Sequence, residues 1–255
     1  MVGAIPARFA ATRLPGKPLL PIAGKPMIEH VYRRATEAAN LDRVVVLTDD
    51  ERIAAAVRGF GGEVEMTPAE CASGTDRIAW AARNWDAAAV VNIQGDEPLI
   101  DPSGIAALVA HLRAHPEEDM ATLAAVAVEE DFDDPNSVKV VLDGAGYALY
   151  FSRSRIPYPR NAESPGATKL WKHLGIYGYR KDVLLRFAAL PPTELEVTES
   201  LEQLRALYHG IRIRVLPAAK PSIGVDTAAD LARVERMLAA EGGGAASSAP
   251  TEAEG

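Results

Sequence analysis

Two apolar periods alternate along the first half of the chain. "RVVVLT" at 43–48 and "AAVVNIQ" at 88–94 are short runs rich in β-branched residues, whereas "ERIAAAVRGF" at 51–60 and "GIAALVAHLRAH" at 104–115 space their apolar residues at helical period. Strands that alternate with helices in this way predict a parallel α/β sheet joined by right-handed crossovers. Local punctuation marks the boundaries. Ser73-Gly74-Thr75 precedes an expected helix from Asp76, and Pro102 suits the first turn of the next one, where a missing N–H costs nothing.

After residue 120 the rhythm changes. "SVKVVLDGAGYALYFS" at 137–152 predicts two strands joined by a turn at Asp143-Gly144-Ala145-Gly146, an antiparallel hairpin. "SRIPYPRNAESPGATK" follows as a long loop, of a length that in compact proteins is often functional or mobile. "HLGIYGY" resumes as a strand, "VTESLEQLRALYH" as one amphipathic helix and "RIRVLP" as a further strand. The expectation is a single domain over residues 1–241, with the stretch at about 137–180 inserted as a lid or an interface. The ending "EGGGAASSAPTEAEG" has no apolar periodicity and cannot offset its ordering entropy by burial, so a disordered tail is expected over 242–255.

Composition narrows the function classes. The chain of 255 residues is 48% hydrophobic, with a formal net charge of -8 and a pI of about 5.2. Such acidity argues against a general nucleic-acid binder, which spreads Lys and Arg across a broad surface to displace phosphate counterions. The single cysteine, Cys71, excludes an internal disulfide framework and a multi-cysteine zinc site, and fits a reducing compartment. No apolar run approaches the span of a bilayer, and the first residues lack the basic flank and long apolar core of a leader. No membrane association and a cytoplasmic location are therefore expected. The histidines show no metal-ligand spacing, and no G-x-S-x-G elbow supports hydrolase chemistry.

The distribution of charge changes the picture. "AIPARFAATRLPGKPL" at 4–19 holds Arg8, Arg13 and Lys17, and the first carboxylate side chain of the whole chain is Glu29. A strand ending near Pro6 and a helix beginning near Met27 would put this positive island at the carboxyl edge of the first strand, where open α/β sheets bind ligands. Two guanidinium groups, an ammonium and backbone N–H groups there suit a triphosphate; a solvated basic loop is the other reading. The Walker pattern is absent, because Gly16-Lys17 is followed by Pro18 and position 11 is Ala, and no G-x-G-x-x-G follows a strand. Asp96 stands at or just past the carboxyl edge of "AAVVNIQ", and Asp226 follows "PSIGV" ahead of Thr227, which can cap a helix with Asp230. Each Asp alone also reads as a turn or cap residue. Two such carboxylates meeting at one edge would suit Mg²⁺, a hard ion that takes a few carboxylates together with phosphate oxygens and water.

With those residues in view, the chain resembles the 3-deoxy-manno-octulosonate (Kdo) cytidylyltransferases, or CMP-Kdo synthetases, over roughly residues 2–240. The resemblance rests on the ordered blocks "IPARFAATRLPGKPL", "GKPMIEHV", "SGTDR", "VNIQGDEP", "NSVKVVLD", "GYALYFSRSRIP", "HLGIYGYR", "LEQLR" and "GVDT". It implies a Rossmann-like, GT-A-like nucleotidyltransferase fold, a mostly parallel sheet flanked by helices with an antiparallel hairpin insertion forming a lid and dimer region. It further implies the reaction of CTP with Kdo to CMP-Kdo and pyrophosphate for lipopolysaccharide synthesis, with Mg²⁺ as cofactor, no nucleic-acid partner and a homodimeric state.

By the same resemblance Arg8 and Lys17 hold the triphosphate and belong, with Asp96 and Asp226, to the catalytic set. Arg13 and Arg77 flank the nucleotide, Gln94 and Asp96 form the floor between nucleotide and sugar, and Asp96 and Asp226 are the metal ligands. Arg153, His173, Tyr177, Glu202 and Gln203 are the candidates on the sugar side, with Arg153 facing the Kdo carboxylate. One departure is Ala11, where the family often has Ser in "STRLPGK"; activity is not expected to depend on it. Two other readings stand beside this one: a cytidylyltransferase for another sugar acid, such as sialic acid or 8-amino-Kdo, and a catalytically silent nucleotide-binding protein.

Overall fold

Residues 2–5 carry no polar side chain and all four are buried, so the first strand has to lie inside a sheet covered on both faces. The computed structural model describes residues 1–10, 14–160, 169–221 and 223–245. Strand β1 (Val2–Pro6) leads through a loop and a small ribbon, β2 (Pro21–Ile22) and β3 (Lys25–Pro26), into helix α1 (Met27–Thr36). The alternation continues through β4 (Arg43–Thr48), α2 (Glu51–Gly59), β5 (Val64–Met66), α3 (Gly74–Ala82), β6 (Ala89–Asn92) and α4 (Pro102–Ala114). Then come β7 (Met120–Val126), the hairpin β8 (Lys139–Leu142) and β9 (Ala148–Ser152), and the long strand β10 (Trp171–Arg180). Helices α5 (Lys181–Ala188), α6 (Glu194–Glu199) and α7 (Gln203–Tyr208), strand β11 (Ile213–Pro217) and helix α8 (Ala228–Ala245) complete the described chain.

The main sheet runs β11-β7-β10-β6-β1-β4-β5. Every neighbouring pair in that row is parallel except the two made by β10, which runs against both β6 and β7. This is the mostly parallel, helix-flanked sheet that the periodicity predicts. The two faces are visible residue by residue in β4: Val44 and Val46 join a core with Ile28, Ile53 and Leu108, while Val45 and Leu47 join the opposite core with Ile78, Leu184 and Phe187. No helix among the described residues is long and apolar enough to cross a membrane.

Three expectations are adjusted by local chemistry. Helix α3 starts at Gly74, not Asp76, because Ser73 is its cap and Asp76 its third residue: Ser73 Oγ accepts from Asp76 N at 3.0 Å and Asp76 Oδ2 accepts from Ser73 N at 2.9 Å. The single helix expected over 197–209 is two short helices, since Ser200 takes a left-handed φ of 52° and Leu201 N turns back to Glu196 O at 3.1 Å. Helix α8 carries on to Ala245, past the expected boundary at 241, and residues 246–255 of the expected tail lie outside the described residues, as do 161–168 of the long loop.

The hairpin forms where the turn chemistry placed it. Asp143 Oδ1 accepts from Ala145 N at 2.9 Å and Tyr147 N at 2.8 Å, and Gly146 has a φ of 85°. Its base pairs with β10 through Val140 and Lys139, and its turn is tied to β11, where Val215 N donates to Gly146 O at 3.0 Å. The hairpin is thus anchored within the chain at both base and turn.

Candidate active site at the carboxyl edge of the sheet

The loop after β1 folds back on itself before Lys17. Gly16 N donates to Phe9 O at 2.9 Å, and Gly16 adopts a φ of 72° with the Phe9 ring about 3.0 Å from where a Cβ would stand, so a side chain there is disfavoured twice. A 3-10 turn then aims Lys17 at the end of β6. Its ammonium donates to Asp96 Oδ2 at 2.7 Å, to the Val225 carbonyl at 2.9 Å and to Asp226 Oδ1 at 3.1 Å. Val225 N donates to Asp96 O at 2.9 Å, which fastens the segment before α8 to the loop after β6. Asp230 reaches back to Thr227, whose hydroxyl accepts from Asp230 N at 3.2 Å, so Asp226 is held by the cap expected from sequence.

Burial pulls the Lys17 pKa down, but the charge of Asp96 and the hydrogen bonds to Asp96 and Asp226 outweigh it and hold the ammonium above its ordinary value. The site thus contains a cation surrounded by three oxygen atoms, two of them on carboxylates that are 35% and 52% exposed. That donor set, hard oxygens open to solvent on one side, fits Mg²⁺. The arrangement differs in one respect from the expectation: Lys17 stands between Asp96 and Asp226, on the same spot that their carboxylates would offer a metal.

The remaining nucleotide-side candidates fall into different settings. The half-buried Arg8 donates to the Cys71 carbonyl, so it crosses from the first loop to the one before α3. Arg77 is fully buried on α3, donates to Thr67 Oγ1 and faces Asp49 Oδ1 at 3.0 Å. Its burial lowers its pKa, Asp49 opposes that shift and the charge of Arg8 adds to it, which places the two guanidinium groups within electrostatic reach of each other. Gln94, just past β6, donates to Asn92 Oδ1 at 3.4 Å. Arg13 lies outside the described residues, together with Ala11 and Thr12.

On the sugar side the structure gathers three of the five candidates. His173 and Tyr177 of β10 have ring centroids 5.2 Å apart, and Tyr177 lies 5.9 Å from Tyr179. Burial lowers the His173 pKa to about 3, so the ring is neutral, and burial, then the neighbouring Tyr179 and Glu202, keep the Tyr177 phenol protonated. Glu202 accepts from Thr75 Oγ1 at 2.5 Å; burial raises its pKa against the hydrogen bonds from Thr75 and Ser73. It also lines an open cleft of about 650 Å³ with Ser73, Asp76 and Arg205.

Gln203 is buried at the start of α7. Arg153 is held by backbone carbonyls, with Nε on Glu199 O at 2.6 Å, NH1 on Pro135 O at 2.8 Å and NH2 on Ser200 O at 3.3 Å. Among the described residues the hydrogen bonds of its guanidinium go to these three carbonyls, so its donors are largely spoken for. Sequence reasoning passed over Thr122, the one hydroxyl within the apolar run of β7, whose side chain meets His173.

A mostly parallel sheet with Lys17 in the loop after its first strand and two carboxylates converging at the carboxyl edge is the setting in which open α/β folds bind nucleotides. A sequence model described as Cytidylyltransferase matches residues 2–213. The chain is 54% identical to the 3-deoxy-manno-octulosonate cytidylyltransferase of Syntrophotalea carbinolica, over 92% of this chain and 96% of the relative. It is 50% identical to the 8-amino-3,8-dideoxy-manno-octulosonate cytidylyltransferase of Shewanella baltica, over 93% and 98%. Among solved structures, a CMP:2-keto-3-deoxy-manno-octonic acid synthetase complexed with CTP matches with a TM-score of 0.90 at 46% identity, covering 94% of this chain and 98% of that one. The chain belongs to the 3-deoxy-manno-octulosonate cytidylyltransferase family.

Proposed function

We propose that this enzyme activates Kdo: CTP and Kdo give CMP-Kdo and pyrophosphate, with Mg²⁺ as cofactor. The observation that supports it most is the Lys17 ammonium at the carboxyl edge, ringed by Asp96, Val225 and Asp226, in a chain of this family. The anomeric hydroxyl oxygen of the sugar, giving up its proton to solvent, forms a bond to the α-phosphorus of CTP as the bond to the pyrophosphate oxygen breaks. Both partners are anionic, so the barrier is in large part charge repulsion, and positioning accounts for much of the remainder. Bound Mg²⁺ would neutralise phosphate charge, with Asp96 and Asp226 as its protein ligands. Arg8 supplies positive charge to the triphosphate, Lys17 does so once Mg²⁺ rather than its ammonium lies between Asp96 and Asp226, and Arg153 faces the sugar carboxylate. No protein nucleophile is required.

A neighbouring reading is 8-amino-Kdo as the sugar, favoured by the identity shared with the Shewanella relative. Pyrophosphate release measured over a panel of nucleotides and sugar acids separates these. CTP with Kdo is the expected pair; equal turnover of sialic acid, or none of Kdo, overturns the assignment. A cytoplasmic location and a homodimer belong to the same proposal. Most aromatics of the hairpin are used within the chain, since Phe151 is buried and Tyr147 stacks under Arg212 and Arg214. The support for a dimer is instead aliphatic: Val126, Val128 and Leu149 stay 54%, 58% and 60% exposed.

A further inference from the structure

Thr122 of β7 is fully buried, and its hydroxyl oxygen lies 2.7 Å from the Ile176 carbonyl, 3.2 Å from the Leu174 carbonyl and 3.0 Å from His173 Nε2. Those carbonyls belong to a bulge. Leu123 and Thr122 are consecutive on β7, yet their partners on β10 are Leu174 and Tyr177, so Gly175 and Ile176 are extra residues with no place in the ladder. On a regular strand, residues four apart are separated by about 13 Å. The bulge brings His173 and Tyr177 to a ring separation of 5.2 Å instead. The same bulge faces the nucleotide floor, because a Cβ on Gly175 would stand 3.5 Å from Glu97 Oε1 and 3.7 Å from Gln94 Cγ.

A hydroxyl has one proton, and a carbonyl can only accept it. Thr122 therefore donates to one of the two carbonyls, the shorter contact being Ile176, and has only lone pairs to offer the imidazole. His173 must then carry its proton on Nε2, which leaves Nδ1 as a hydrogen-bond acceptor. We propose that Thr122 is a positioning residue for the sugar acid: it holds the β10 bulge that assembles His173 with Tyr177 and fixes the histidine tautomer that accepts from a sugar hydroxyl. This rests on the functional reading for the sugar acid as the ligand and on the family resemblance for placing His173 and Tyr177 beside it.

Thr122→Val keeps the β-branched shape and removes both hydrogen bonds, and Thr122→Ser restores the hydroxyl. Imidazole nitrogen NMR on the ligand-free protein is expected to find His173 in the Nε2–H form in wild type and Thr122→Ser, and out of it in Thr122→Val. In steady-state kinetics, Thr122→Val is expected to raise KM for the sugar acid at least tenfold, leave KM for CTP within twofold, and be rescued by Thr122→Ser. An Nδ1–H tautomer in wild type overturns the proposal, as does an unchanged sugar KM or an equal rise in both KM values. If wild type prefers a sugar acid other than Kdo, the functional reading falls, and the tautomer and the KM split for that acid still decide the role of Thr122.

Discussion

Lys17 stays charged through opposition: burial works against the ammonium and two carboxylates work for it. Since its folded pKa is raised, the stabilisation it contributes is complete below the ordinary lysine value of 10.5 and fades only as pH rises through the folded one. The site is therefore charged throughout the neutral range. On the proposed mechanism, Lys17→Ala removes a charge that serves the triphosphate, and Asp226→Asn keeps the shape of the proposed metal ligand while weakening it. Each is expected to lower kcat/KM at least tenfold, where tenfold corresponds to about 1.4 kcal/mol. The defects differ in kind: added Mg²⁺ partly rescues Asp226→Asn and leaves Lys17→Ala impaired. Near wild-type turnover in both folded variants across a Mg²⁺ titration would remove Lys17 and Asp226 from the site.

At the scale of elements, Glu118 joins three of them. Its carboxylate, 4% exposed, accepts from Arg214 of β11 at 2.7 Å and from the Tyr147 hydroxyl of the hairpin turn at 3.0 Å, and meets His111 Nε2 of α4 at 2.7 Å. Burial alone would raise its pKa; the hydrogen bonds from Arg214, His111 and Tyr147 lower it from 4.5 to about 2. A depressed carboxylate stabilises the fold above its unfolded pKa and loses that contribution as pH falls through the folded one, here between 4.5 and about 2. Glu118→Gln should cost about 3 kcal/mol near neutrality, and the cost should shrink as pH falls below the unfolded pKa. Urea denaturation of both proteins at pH 7 and pH 3 checks this, and an equal cost at both would refute the charge argument.

The same scale shows what a sequence can and cannot disclose. Strands β4 and β6 and helices α2 and α4 were legible because burial on a sheet or helix face imposes its period on the residues themselves. Lys17, Asp96 and Asp226 were each legible as ends of elements. That the two carboxylates meet at the Lys17 ammonium depends on how the chain returns from β11, which no local pattern encodes. The break at Ser200 was hidden because serine carries no mark of a left-handed φ. The β10 bulge was hidden for a different reason: two extra residues preserve the alternation of faces, so "HLGIYGY" reads as an unbroken strand. The lone threonine in "MATLAAV" was the available hint.

For the whole molecule, the proposed homodimer would take Val126, Val128 and Leu149 out of solvent. Light scattering at micromolar concentration should return twice the chain mass of 27.2 kDa, and Leu149→Lys should shift the population toward monomer. A stable wild-type monomer would end the dimer proposal.

The antiparallel β10 has a further consequence. It is the only strand in the main row that touches both β6 and β7, so the two parts of the sheet, β6-β1-β4-β5 and β11-β7, are joined through it alone among the described strands. Yet β7 leaves the ribosome before β10, and before its other partner β11. At synthesis rates of roughly 5–20 residues per second, the apolar β7 waits on the order of seconds with both edges unpaired. The birth order of the chain thus makes "MATLAAV", which ends up beside His173 and Tyr177, a segment in need of protection while the protein is being made.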